Sequence, residues 1–293
     1  MYGYSFFTIL DKVKLMSLGI VVKGSEGVVL AADSRVTITA TIQQPDNSVI
    51  HLPVNFDNAT KLLTFAKPNN WIGAVTYGDA VIGSKQSDLR TAKSLIPEFE
   101  VKFGEKERLS VTDFSKDLSD FFLGQWESKM PKNYKGSGMA FVVGGFNEDS
   151  PYGSVFEFNI PNEPKPREVA KGEFGMTMGG QPEVTSRIVK GYDARLLEIA
   201  EKTLNLTINQ KDKLEKALAQ LQLQIPFPVL PLQDCIDLAV FLIKTTSTTQ
   251  NLSIGVRGVG GEVDVAVITQ RDGLKIIQEK ELIGDKSVRI KER

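Results

Sequence analysis

Two residues are almost missing from this chain of 293: it has one histidine and one cysteine. A Ser-His-Asp or Cys-His hydrolase needs an imidazole base, and His51 is the sole candidate. It stands in "PDNSVIHLPVNF", a stretch with two prolines that reads as a loop with a solvated histidine. Zinc sites built from several His and Cys ligands are excluded by count. The lone Cys235 cannot form an internal disulfide and fits a reducing compartment. A surplus of either charge is also lacking, since 35 Lys+Arg face 36 Asp+Glu for a net charge of −1. That balance gives no electrostatic ground for nucleic acid or an anionic membrane as partner. No run approaches the roughly 18 unbroken apolar residues of a membrane span. The opening "MYGYSFFTILDKVKLM" begins apolar, but Asp11, Lys12 and Lys14 interrupt it. It also lacks the basic start and small-residue cleavage site of a secretion signal. A cytoplasmic protein is the expectation, and no residue pattern asks for a cofactor or a metal.

What is present suffices for a sizeable core: 41% of residues are apolar and 24% charged, the ordinary balance of a globular protein. Strand signals fill the first quarter in "SLGIVVK", "GVVLAADS", "VTITATIQ", "KLLTF" and "WIGAVTY", each rich in β-branched or aromatic residues. The period then changes, and residues 79–98 and 112–130 read as helices, the second with Thr112 as N-cap. Strands return in "GMAFVVGGF", "GSVFEFNI" and "EFGMTMGG", followed by helical segments near 183–204, 209–223 and 232–247. In the last of these, Ile236, Ala239, Val240 and Ile243 form one apolar stripe and Cys235, Leu238 and Leu242 another. Such a helix is buried between other elements, with Cys235 as packing. The chain closes in "GEVDVAVITQRDGLKIIQEKEL", two strands around an Arg-Asp-Gly turn. Runs of strands then runs of helices indicate an α+β fold. Residues 17–293 read as one domain, with a helical insertion near 205–231 that ends in the proline-rich "QIPFPVLP".

The segment "LMSLGIVVKGSEGVVLAADSRVT", residues 15–37, carries the chemistry. With "GSEG" as a turn centred near Ser25, Ser17 pairs with Asp33, and opposed residues have Cβ atoms about 4.5–5.5 Å apart. A hydroxyl and a carboxylate would then meet at the open end of the hairpin. Alternatively, both residues only mark where the hairpin leaves its sheet. Ser17 follows Met16. Translation starting there, with the initiator trimmed, would make Ser17 N-terminal. Its α-amine, with a reference pKa of about 7.7–8.0, could then accept the hydroxyl proton, an arrangement that needs no histidine.

These residues resemble the proteasome-type N-terminal-nucleophile (Ntn) hydrolases. "GIVVKGSEGVVLAADSRVT" is similar to the opening hairpin of proteasome β subunits, "ATKLLTF" with "WIGAVTYGDA" to the next strand pair, and "QNLSIG" to the bacterial Anbu branch. The resemblance implies a four-layer α-β-β-α sandwich acting as a threonine/serine-type peptidase. It assigns Ser17 as nucleophile, Lys61 as the cation that lowers the pKa of the hydroxyl and amine, and Asp33 as the group orienting Lys61. Backbone N–H near Gly78 would hold the oxyanion, worth about 3–4 kcal/mol, and Ser253 would support the amine. It also implies a homo-oligomeric ring, a peptide or unfolded protein as substrate, and leaves any unfoldase partner unidentified. Several departures stand out. The family's threonine is replaced by serine, which lacks the methyl that restricts the rotamer. Gln250 stands where the family has an aspartate, and the Arg35–Lys61 stretch is longer. Residues 1–16 are an N-terminal extension that must be absent or cleaved in the active form. A catalytically silent proteasome-like subunit and an Ntn amidase of narrow substrate range are the alternatives.

Overall fold

Every residue of the first two strands is buried, which requires cover on both faces of the hairpin they form. The computed structural model describes residues 17–284 apart from 45, 47, 85, 104–106 and 256. The extension 1–16 lies outside the described residues. In chain order the strands are β1 (Leu18–Lys23), β2 (Val28–Asp33), β3 (Val36–Gln43), β4 (Val49–Phe56), β5 (Leu62–Thr64), β6 (Ile72–Gly78), β7 (Val81–Ile82), β8 (Arg90–Thr91), β9 (Met139–Gly145), β10 (Ser154–Ile160), β11 (Glu163–Val169), β12 (Gly175–Gly180), β13 (Val263–Thr269) and β14 (Gly273–Gln278). The helices are α1 (Ala92–Phe103), α2 (Val111–Lys129), α3 (Glu183–Lys190), α4 (Leu196–Leu204), α5 (Ile208–Leu218) and α6 (Leu232–Asn251).

Two five-stranded sheets result, ordered β12-β1-β2-β13-β14 and β11-β10-β9-β6-β5. The period of two in each strand divides their side chains between distinct apolar clusters. Leu18, Ile20 and Val22 of β1 join Ala239, Leu242 and Ile243 of α6. Val21, Val28 and Leu30 instead meet Val75 of β6 and Val142 of β9 in the other sheet. A third cluster packs Phe114, Leu118 and Phe122 of α2 against Phe141 and Phe158. The architecture is α+β, as expected, and Cys235 is buried in the α6 cluster.

Several sequence expectations are corrected. The first turn holds four residues, closed by Gly24 N–H donating to Gly27 O at 2.9 Å, so Lys23 faces Val28 and Gly19 faces Ala32. The extra turn residue shifts the register by one, and Ser17 does not stand directly opposite Asp33. Residues 79–98 are not one helix, because β7 and β8 pair before α1 begins. Gly83 has φ +133, and a Cβ there would meet the Asp88 carbonyl oxygen at 2.5 Å. Ser110, not Thr112, caps α2, accepting from Asp113 N–H at 3.0 Å, a contact typically worth about 1 kcal/mol. The 183–204 helix divides into α3 and α4 at a turn where Asp193 bridges Arg187 and Arg195. The stretch around His51 is the strand β4, paired along its length with β3. Within 205–231, α5 is followed by a 3-10 turn at Ala219–Leu221 and then by irregular backbone to Pro231.

Candidate active site

The end of β2 puts Asp33 where three chain segments converge. Its Oδ1 accepts from Leu18 N–H at 2.9 Å and from Lys61 Nζ at 2.6 Å. Its Oδ2 accepts from Arg35 N–H at 3.1 Å and from Gly260 N–H at 3.0 Å. The carboxylate is fully buried, and a buried charge must be paired and hydrogen-bonded. Lys61, just before β5, is 4% exposed and donates a second, short hydrogen bond to the Arg35 carbonyl. Burial pushes the Lys61 ammonium below its ordinary pKa, an effect that Asp33 opposes and that the cations of Lys280 and Arg35 add to. Lys280 is itself paired with Asp264 at 2.5 Å in a second buried ion pair.

Ser17 is 3% exposed, and its carbonyl accepts from Gln181 N–H at 2.8 Å. Ser17, Lys61 and Gly78 together line a cavity of about 180 Å³, with Val36, Tyr77 and Asp79 on its other walls. The backbone explains how Gly78 contributes. Thr76 N–H donates to Lys61 O at 3.0 Å, whereas Asp79 N–H donates to Gly138 O at 2.8 Å on the opposite edge. N–H groups alternate edges along a strand, so that of Gly78 points to the same edge as Thr76, on the Lys61 side. Tyr77 lies over two glycines of the facing sheet: a Cβ on Gly179 would come within 2.0 Å of its ring and one on Gly19 within 3.3 Å. Burial raises the Tyr77 hydroxyl to about 12. Burial also raises Asp79, against the donations it receives from Tyr134 Oη and Gly138 N–H, each at 2.9 Å.

Thus Ser17, Asp33, Lys61 and Gly78 are brought together. Ser253 is not: it is exposed beyond α6, its hydroxyl 3.4 Å from the Gln250 carbonyl. The later segment reaches Ser17 by another route. Gln250 Nε2 donates to Gln181 Oε1 at 2.8 Å, and Gln250 Oε1 accepts from Val259 N–H at 2.9 Å. Gln250 stands out in the sequence as a departure from the family, whereas no spacing signal points to Gln181. The Arg35 carbonyl and Gly260 N–H are likewise silent in the sequence, because backbone ligands carry no residue-type signature. Among the described residues, no group of three or more His, Cys, Asp or Glu gathers as a metal site, and no helix is long and apolar enough to cross a membrane.

Two packed antiparallel sheets, with a buried lysine–carboxylate pair beside a strand-initiating serine, define the class. Solved structures then give the fold a name. An Anbu (Gly-1) mutant from Hyphomicrobium sp. strain MC1 superposes with a TM-score of 0.51 at 13% identity, covering 90% of this chain and 86% of that one. The Anbu complex from Pseudomonas aeruginosa, solved as a helical assembly, gives 0.52 at 16% identity, with coverages of 90% and 88%. No protein-family model and no curated protein matches the chain. The chain therefore shares the Anbu fold, in line with the resemblance its sequence carries.

Proposed function

We propose that this protein is a proteasome-like N-terminal-nucleophile peptidase of the four-layer α-β-β-α type, acting on peptides or unfolded proteins in the cytoplasm. The carrying observation is Lys61, paired with the buried Asp33, lining one cavity with Ser17 and Gly78. In this reading residues 17–293 form the working domain, with 205–231 as an insertion, and residues 1–16 are absent or removed. The freed α-amine of Ser17 takes the hydroxyl proton as Oγ attacks the scissile carbonyl carbon. The N–H of Gly78 donates to the oxyanion. The amine returns its proton to the departing amine, leaving an acyl ester on Ser17, which water hydrolyses by the same proton path in reverse. The Lys61 ammonium, aimed by Asp33 and the Arg35 carbonyl, favours the deprotonated forms of the serine hydroxyl and amine. The helical assembly of the Pseudomonas relative supports homo-oligomerisation here as well.

Intact-mass measurement combined with a fluorogenic peptide panel tests this. A mass starting at Ser17, with hydrolysis abolished in Ser17→Ala and Lys61→Ala, is expected. Retention of residues 1–16 in assembled protein without hydrolysis would make the chain a silent member of the fold. Hydrolysis unaffected by either substitution would show that the site is elsewhere.

A further inference from the structure

A second buried charge pair stands beside the first, and the mechanism above does not use it. Asp264, near the start of β13, and Lys280, two residues beyond β14, have side chains 1% and 4% exposed. Taking two charges out of water is costly and rarely adds net stability, so the pair asks for another reason. β13 pairs with β2 so that Val263 faces Asp33 and Asp264 faces Ala32. Alternation along the strand turns Asp264 to the face of Ala32 and Ala266, between the two sheets. Lys61 enters that space from the opposite sheet, where β5 lies against β13. A carboxylate so placed is a rival to Asp33 for the Lys61 ammonium.

Lys280 removes the rival. Its N–H donates to Asp264 Oδ1 at 3.1 Å and its Nζ to Oδ2 at 2.5 Å, so one residue holds both oxygens. The placement is built into the strand end. Val265 faces Gln278 but Ala266 faces Ile276, which makes Ile277 an extra residue, and a bulge of this kind bends its strand. Gln278 Nε2 then donates to Val263 O at 2.6 Å, fastening the chain just before Lys280. The Lys280 ammonium also lies close enough to Lys61 to lower its proton affinity, and like charges so near each other repel. We propose that Lys280 is a positioning residue for Lys61: it occupies Asp264 and thereby leaves Lys61 to Asp33 and the Ser17 cavity. The inference rests on the peptidase reading above. The charged groups around Lys61 are Asp33 from β2, Arg35 from the bend after it, and Asp264 and Lys280 from β13 and the segment after β14. Asp79 and Lys93 line the same cavity. Removing the Lys280 side chain changes one of these directly, by freeing the Asp264 carboxylate.

The test combines steady-state hydrolysis of a fluorogenic peptide with a crystal structure of the variant. Lys280→Met should lower kcat about tenfold or more at unchanged KM, the scale of loss when a catalytic group is misplaced. The loss should deepen from about pH 6 to about pH 9 as the freed carboxyl ionises. Adding Asp264→Asn should restore most of the activity, because the rival is gone although the ion pair is not rebuilt. A pair needed only for packing would leave that double variant impaired. Lys280→Gln keeps a donor for Asp264 without the charge, and it should show a smaller loss of the same kind even where Lys280→Met does not fold. In the variant crystal, Lys61 Nζ should leave Asp33 Oδ1 for an oxygen of Asp264. Four results overturn the proposal: kcat unchanged in the single variants; a double variant as slow as Lys280→Met; a loss independent of pH; and Lys61 still joined to Asp33 alone in the crystal. A wild type that hydrolyses no peptide would remove the peptidase reading, and the crystal structure would then decide by itself whether Lys280 holds Lys61 in place.

Discussion

Replacing Asp33 by alanine should cost far more stability than replacing its partner Lys61 by methionine. Asp33 accepts four hydrogen bonds, three from backbone N–H groups and one from Lys61. In Asp33→Ala the Lys61 ammonium stays buried with the Arg35 carbonyl as its remaining acceptor, and the amides of Leu18, Arg35 and Gly260 lose theirs. Breaking a buried pair by removing one partner costs about 3–5 kcal/mol, and each stranded buried amide adds roughly 1–3 kcal/mol before relaxation. Proton loss from Lys61 limits the charge part, since burial already lowers its pKa. In Lys61→Met the carboxylate keeps its three amide donors, and the methionine chain fills much of the lysine's volume. A loss of about 3 kcal/mol, the low end of the broken-pair range because the amides still hold the carboxylate, is expected there, against about 6 kcal/mol or more for Asp33→Ala. Urea unfolding reads this difference as a change in midpoint at constant slope. The double variant should recover part of the loss, because it removes the unpaired ammonium. Equal losses in the two single variants, or an Asp33→Ala cost below about 1 kcal/mol, would refute Asp33 as the point on which the site is hung.

Two further outcomes follow from the same geometry. Because Lys61 titrates below 10.5 in the folded state, the unfolded chain binds more protons between that lowered value and 10.5, and stability rises with pH across that window. The stability of wild type relative to Lys61→Met should therefore climb towards pH 10.5 in urea midpoints, and a relative fall over that range would contradict the burial of the ammonium. Gly179→Ala would push a methyl within 2.0 Å of the Tyr77 ring, an overpacking of about 1–3 kcal/mol. Tyr77→Ala should abolish that penalty in a double-mutant cycle, and additive losses would mean that the two do not touch.

The sequence made the opening hairpin legible because its apolar alternation and Gly-Ser-Glu-Gly turn are local signals. Register was not legible, since a three- and a four-residue turn share those letters and only the Gly24–Gly27 hydrogen bond separates them. β4 reads as loop in the sequence because Pro53 and His51 break its apolar run, although the even positions keep their alternation. β11 escaped for a similar reason, with Pro164 and Pro166 inside an exposed edge strand. Asp33 is singled out by the hairpin pairing and Lys61 by the family resemblance, and geometry pairs them at 2.6 Å. The expectation for Ser253 drew on the same resemblance without its aspartate, and the residue lies on the surface.

The donors gathered on Asp33 come from the first strand, from the bend after β2, from the residue before β5 and from the loop leading to β13. The most distant of those donors lies 227 residues from Asp33 along the chain, and Lys61 enters from the other sheet. No hairpin, half-sheet or nascent chain can hold this arrangement by itself. The candidate site is thus a product of completed folding: contacts of such long range close late and slowly, and until they close the carboxylate lacks part of the frame that fixes it. In the peptidase reading proposed above, that timing would keep partly folded forms from cutting their neighbours or themselves.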